Sequence, residues 1–307
     1  MAYQALRKIA EEFDQFAEEV AFDNAPRDLI RRHRNRQHGL ALCAQMLSLI
    51  GHIQHHRGAS LAVLAGDVFF EQRLVRLQHQ IRNQLDQLLL EKKQLNLQLV
   101  LGLYQEWLTL SRQWRQDKPL TNYELHSHLI EQLLRLLWQT ARQSEGDCFV
   151  EGVPLMRFVL NDLARLKELA GQMRGLVCHR LYLTEPSRRL NARIVYSLSE
   201  AQRYIANVRA TMTNFVALPD SQKKLFDPAI TVLARENIIP RLEAVITRVQ
   251  SLQGGKSDPV NYFSLMTRIM TGLEEALQQG LNGISRSPEP ALVAWIEGSP
   301  KSSIHDK

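Results

Sequence analysis

The chain has 307 residues, 45% hydrophobic and 23% charged, an ordinary balance for a soluble globular protein with ample material for a core. No apolar run reaches the length of a membrane span, and Met1-Ala2-Tyr3-Gln4 leads into charged helix without a signal-like apolar stretch, so a cytoplasmic protein is expected. The net charge of +6 comes from basic residues interleaved with acids along the whole chain, and nucleic-acid binding, which needs clustering as well as excess, is disfavoured.

Apolar residues recur at three- and four-residue spacings almost throughout, alternating β-branched runs are absent, and glycine and proline sit mostly at breaks. The pattern predicts an all-α fold of about eight long amphipathic helices. The first spans residues 2–20 and stops at Asp23-Asn24-Ala25-Pro26; the second runs from Arg27 to about Ala65, with Gly66-Asp67 as its stop. A long third stretch, 69–117, is expected to be interrupted and ends before Pro119. The fourth covers 122–143 and closes at Ser144-Glu145-Gly146-Asp147; the fifth starts near Pro154 and ends before Pro186. A sixth spans 187–215. Pro219 opens the seventh, which Pro228 and Pro240 should bend or split. After a loop at Gly254-Gly255-Lys256-Ser257-Asp258-Pro259, the eighth runs over 260–281. Residues 284–307, rich in Ser, Pro and charge, read as a mobile tail carrying one apolar island around Trp295. Residues 1–283 thus form one helical domain of two sub-bundles, with a division near 145–153.

Two segments echo each other: His55-His56-Arg57-Gly58-Ala59-Ser60 and Gln172-Met173-Arg174-Gly175-Leu176-Val177. Each places an Arg-Gly pair within an apolar helical pattern. Arginine is rarely buried without a partner, and glycine inside a helix costs about 1 kcal/mol relative to alanine. Arg57 lies on or beside the stripe of Leu47, Ile50, Ile53, Gln54, Leu61 and Leu64; Arg174 lies likewise among Leu166, Leu169, Ala170, Met173, Val177 and Leu181. A guanidinium offers a planar fork of donors, and two forks from different helices could grip a flat oxyanion. Gly58 and Gly175 would let a neighbour or ligand approach the backbone. Alternatively, each arginine pairs with a buried carboxylate or extends to solvent; few acids lie near either, Glu168 being the nearest on the second segment.

Other constellations are weaker. His52 and His56 have the four-residue spacing of helical metal sites, but no third ligand and no Glu-x-x-His pattern accompanies them, so no metal is expected. His126 and His128 face opposite ways on a helix and read as solvated. Cys43, Cys148 and Cys178 are odd in number, lack metal-like spacing and read as reduced core residues. With no phosphate loop, nucleophile elbow or metalloprotease signature, neither an enzyme nor a cofactor is expected.

Three segments in order, Gln54-x-x-Arg57-Gly58-Ala59-Ser60, Ala170-Gly171-Gln172-Met173-Arg174-Gly175 and Tyr262-Phe263-x-x-Met266-Thr267-Arg268-Ile269, resemble the nitrate- and nitrite-sensing (NIT) domain, an all-helical bacterial receptor module. The resemblance covers roughly residues 40–283. It implies a pair of four-helix-type bundles that bind nitrate or nitrite between them through arginines, and it assigns that role to Arg57 and Arg174. Arg235, in Leu233-Ala234-Arg235-Glu236-Asn237, lies where a further ligand arginine is expected; it could equally be a surface arginine paired with Glu236 or Glu243. The residue before the first arginine is usually charged in this family and here is His56, which can also donate to an anion. Family members usually fuse the module to an output domain, so this chain is expected to signal to a separate partner; a homodimer is left open. The alternative is a ligand-free adaptor that docks a partner through its basic surface and Trp295 tail.

Overall fold

A computed structural model describes residues 24–91, 94–145, 153–183, 185–251 and 258–286, and all regular structure among them is helical. The helix expected over 2–20, Cys148 and the Trp295 tail lie outside the described residues.

The first described helix, α1 (Asn24–Leu64), buries Leu40, Cys43, Met46, Ile50, Ile53 and Arg57 at three- and four-residue steps along one face. It starts at Asn24 and runs through Pro26, and ends at Gly66, whose φ of 103° suits a residue without a Cβ. The stretch read as one interrupted helix is two, α2 (Glu71–Leu90) and α3 (Leu97–Gln113), and the break is made by Asn96, whose side chain accepts hydrogen bonds from the amides of Gln98 and Leu99. α4 (Pro119–Glu145) follows, longer at both ends than the apolar pattern alone implied.

α5 (Val153–Arg157) passes through a π turn at Phe158–Leu163 into α6 (Ala164–Tyr182) without leaving the helical path. Phe158, Val159 and Leu160 are all buried in this turn, where the rod is covered on several sides by its neighbours. α7 (Arg188–Asn214) is capped by Ser187, whose hydroxyl accepts from the Leu190 amide.

Neither expected proline splits the next stretch. The chain breaks instead at Glu236-Asn237, where Asn237 takes a left-handed φ of 48°, separating α8 (Asp220–Arg235) from α9 (Ile238–Gln250). Pro228 stays within α8, and the carbonyl it leaves unpaired belongs to the exposed Lys224. Pro240 falls in the first turn of α9, where a missing N–H costs nothing. α10 (Pro259–Arg286) ends the described chain, passing beyond Gly283, where the periodicity weakens.

α1, α2, α3 and α4 pack as one bundle, and α6 to α10 as a second. The two meet where α1 lies against α6 and α10, and where α4 touches α6 and the π turn. One continuous apolar cluster runs through both, from Leu40 and Trp107 to Phe226 and Leu281. Among the described residues no helix is long and apolar enough to cross a membrane.

Candidate anion-binding site

The three sequence segments converge at the junction of the bundles. α1 brings Gln54 and Arg57 to Glu168 and Gln172 on α6. Arg57 is 3% exposed. Its Nη1 donates to Glu168 Oε1 at 2.5 Å and its Nη2 to Oε2 at 3.2 Å, and Nη1 also donates to Ser127 Oγ of α4 at 2.8 Å. Glu168 accepts two further hydrogen bonds, from Gln54 Nε2 at 2.8 Å and Gln172 Nε2 at 2.9 Å. Gln172 is itself steadied by Ser197 of α7, whose hydroxyl donates to its Oε1 at 3.2 Å. Burial alone would lower the Arg57 pKa, but the Glu168 carboxylate outweighs it and the net shift is upward. Of the two alternatives for Arg57, the structure records a carboxylate partner, and that partner is Glu168, 111 residues away.

Arg174 is placed differently. Its Nη1 donates to Thr267 Oγ1 of α10 at 3.0 Å, and its guanidinium carbon lies 5.0 Å from the centre of the Phe263 ring. No carboxylate of the described residues pairs with it. Burial lowers its pKa, and the charges of Arg57 and Arg73 lower it further. The closing segment thus supplies the wall of this arginine: Tyr262 donates to the carbonyl of Met173, Met266 and Ile269 are buried, and Phe263 and Thr267 hold the guanidinium.

Positive charge gathers around this point. Lys167, 7% exposed, pairs with the half-exposed Glu274, and burial, reinforced by Arg174 and partly offset by Glu168, lowers its pKa to about 8. His55 is pushed down to about 4 by desolvation of its ring and by the charges of Arg73, Arg174, Lys167 and His52. A trigonal anion entering here would meet the Arg174 guanidinium and a positive field. Among the described residues no group of three or more His, Cys, Asp or Glu could hold a metal ion.

Close packing fixes the geometry. A Cβ on Gly171 would stand 3.2 Å from both Arg57 Nη2 and Met270 Cε, so this glycine is what lets the Arg57 fork lie against α6. Gly175 has only ordinary neighbours, with Tyr123 at 3.7 Å, and Gly58 faces open space, so the close approach expected at those two glycines occurs instead at Gly171.

His56 points away from Arg174, into the first bundle. His126 Nδ1 lies 2.8 Å from the Asn122 carbonyl, which can only accept, so His126 donates there. Its Nε2 then accepts from His56 Nδ1 at 2.7 Å, and His56 Nε2 accepts from Gln78 Nε2 at 3.3 Å. Both rings are neutral: burial lowers the His126 pKa to about 3 and holds His56 well below its ordinary value. His56 also meets Trp107 and Trp114 edge-on at 5.1 and 6.1 Å between centroids. His126 is therefore buried and not solvated, a role the sequence offered no signal for beyond its helical position. His52 Nδ1 bonds Gln84 Oε1 at 2.7 Å. Arg235 stands on the exposed end of α8, where Nε donates to Glu236 at 3.1 Å and Nη2 to both oxygens of Glu275 at 2.9 and 3.0 Å. The structure does not bring it to Arg57 and Arg174. Cys43 is buried; Cys178, half-buried near Arg174, has its pKa raised to about 12 by burial.

The fold and the junction define a class: an all-helical module of two packed bundles with arginines set at their junction. A family model described as nitrate and nitrite sensing matches residues 48–284, and the chain belongs to that NIT family. Among solved structures it is similar to "Structure of the NasR transcription antiterminator", at 18% identity and a TM-score of 0.67, covering 94% of this chain and 76% of that one. At that identity the likeness is one of fold. No curated protein matches the chain.

Proposed function

We propose that this protein is a cytoplasmic sensor that binds nitrate or nitrite at the junction of its bundles, with Arg174 and Arg57 as the principal ligands, and passes its state to a separate output partner. The observation that carries this is Arg174: a largely buried guanidinium, held by a hydroxyl and an aromatic face, with no carboxylate partner among the described residues. A buried charge of this kind is costly unless something compensates it, and a small planar anion is of the right charge and shape. Lys167 and Arg73 add to the field that would draw it in. A bound anion would join α1, α6 and α10, which belong to both bundles, and so favours one arrangement of the bundles over another. A ligand of millimolar to micromolar affinity supplies about 4 to 8 kcal/mol, ample to bias such an equilibrium.

The test is isothermal titration of the purified protein with nitrate and nitrite, with chloride and sulfate as controls. Saturable binding of nitrate or nitrite is expected, lost in Arg174→Ala with helix content unchanged by circular dichroism. Arg57→Ala should also lose binding and should in addition be destabilised by about 3–5 kcal/mol, because it strands the buried Glu168. Retained binding in both variants would overturn the site; flat titrations with all four anions would leave a ligand-free adaptor as the better description.

A further inference from the structure

We infer that Glu168 is a built-in stand-in for the ligand: its carboxylate occupies the Arg57 fork, and an incoming nitrate or nitrite must displace it. This rests on the sensing function proposed above and concerns how that site is regulated. A carboxylate is planar, carries one negative charge and presents two oxygens side by side, as nitrate and nitrite do. Glu168 uses that shape fully, spanning Nη1 and Nη2 of Arg57 while Gln54 and Gln172 donate to the same two oxygens. Four donors from two helices converge on one trigonal group, which is the donor set a small oxyanion requires.

There is also somewhere for the side chain to go. Glu168 and Gln172 line a cavity of about 660 Å³ between α4, α6 and α7. Its walls carry Arg135, Arg165, Arg193 and Arg203 beside their partners Glu131, Glu124 and Glu200, so a displaced carboxylate enters a polar space rich in guanidinium donors. Exchange of Glu168 for nitrate keeps one negative charge on Arg57 and releases the Glu168 carboxylate from its four donors. The cost of that release is subtracted from the affinity of the anion, and Glu168 thereby sets the ligand concentration at which the protein responds. The neighbouring Arg174 lacks such an occupant among the described residues, and so provides the first foothold for an anion whose second contact is contested.

The experiment is titration of nitrate and nitrite into wild type, Glu168→Gln and Glu168→Asp, with circular dichroism to establish folding. Glu168→Gln should bind at least about tenfold more tightly and show a larger anion-induced rise in melting temperature. Glu168→Asp, which keeps the charge and all the donors but is one methylene too short to hold the Arg57 fork as Glu168 does, should gain about threefold and remains informative if Glu168→Gln does not fold. Binding by Glu168→Gln with none by wild type would also support the exchange. If wild type binds and neither folded variant gains, the sensing function stands and the exchange is overturned. If no form binds either anion, both fail together.

Discussion

Arg57 and Arg174 are alike in sequence surroundings and opposite in circumstance. One is tied bidentately to a carboxylate; the other is held by Thr267 and Phe263. The difference comes from which helix each faces, since α1 turns Arg57 onto the one acid of α6 that points inward. The same inward turn buries the His56–His126 pair, whose proton positions are forced by the Asn122 carbonyl. Both rings are held below the ordinary histidine range, His126 at about 3. In the unfolded chain both would titrate near 6.5. The unfolded state therefore takes up protons first, so the stabilisation is complete above about pH 6.5 and is lost as pH falls toward the folded values, at about 1.4 kcal/mol per pH unit for each histidine. Denaturant unfolding between pH 7 and 4.5 should show this loss, and His126→Gln should reduce its slope; a midpoint independent of pH across that range would contradict the neutral pair.

At the scale of the element, α6 carries the site because three of its residues perform unlike tasks within one turn of each other. Glu168 accepts, Gly171 clears space and Gln172 braces. Gly171→Ala would place a methyl 3.2 Å from Arg57 Nη2 and Met270 Cε. It should weaken nitrate binding by about tenfold, or ~1.4 kcal/mol, although alanine favours the helix by about 1 kcal/mol. Gly175→Ala, with its nearest neighbour at 3.7 Å, should leave affinity unchanged, and titration of the pair checks both expectations. Helices themselves were legible because apolar spacing of three and four is written locally. Their ends were less so: Asn96 caps α3 in the middle of an apolar pattern, and Asn237 breaks the chain between two conspicuous prolines that do not. Of the candidate site, the two Arg-Gly segments and the closing segment could be read in the chain. The partnership of Arg57 with Glu168 could not, since nothing local signals a contact between residues 111 positions apart. His126 was hidden for the same reason, its partner lying 70 positions upstream.

For the molecule as a whole, the apolar cluster runs unbroken from one bundle into the other, and the polar site sits on that seam. The two bundles should therefore unfold together. At a nitrate concentration one hundred times its dissociation constant, the single transition should gain about 2.7 kcal/mol of stability. Scanning calorimetry with and without nitrate checks this; two transitions, of which only one moves, would mean that the bundles are energetically separate.

The π turn at Phe158–Leu163 lies just upstream of Lys167, Glu168 and Arg174 on the same continuous rod. A wide turn holds one residue more than regular winding would, and each residue is worth about 100° of rotation about the helix axis. The angular setting of the whole charged face is therefore decided by a stretch that carries none of it, and whose own polar residues, Asn161 and Asp162, bond to each other. A family of such receptors could retune what its arginines see by gaining or losing a single residue there, with every charged side chain left as it is.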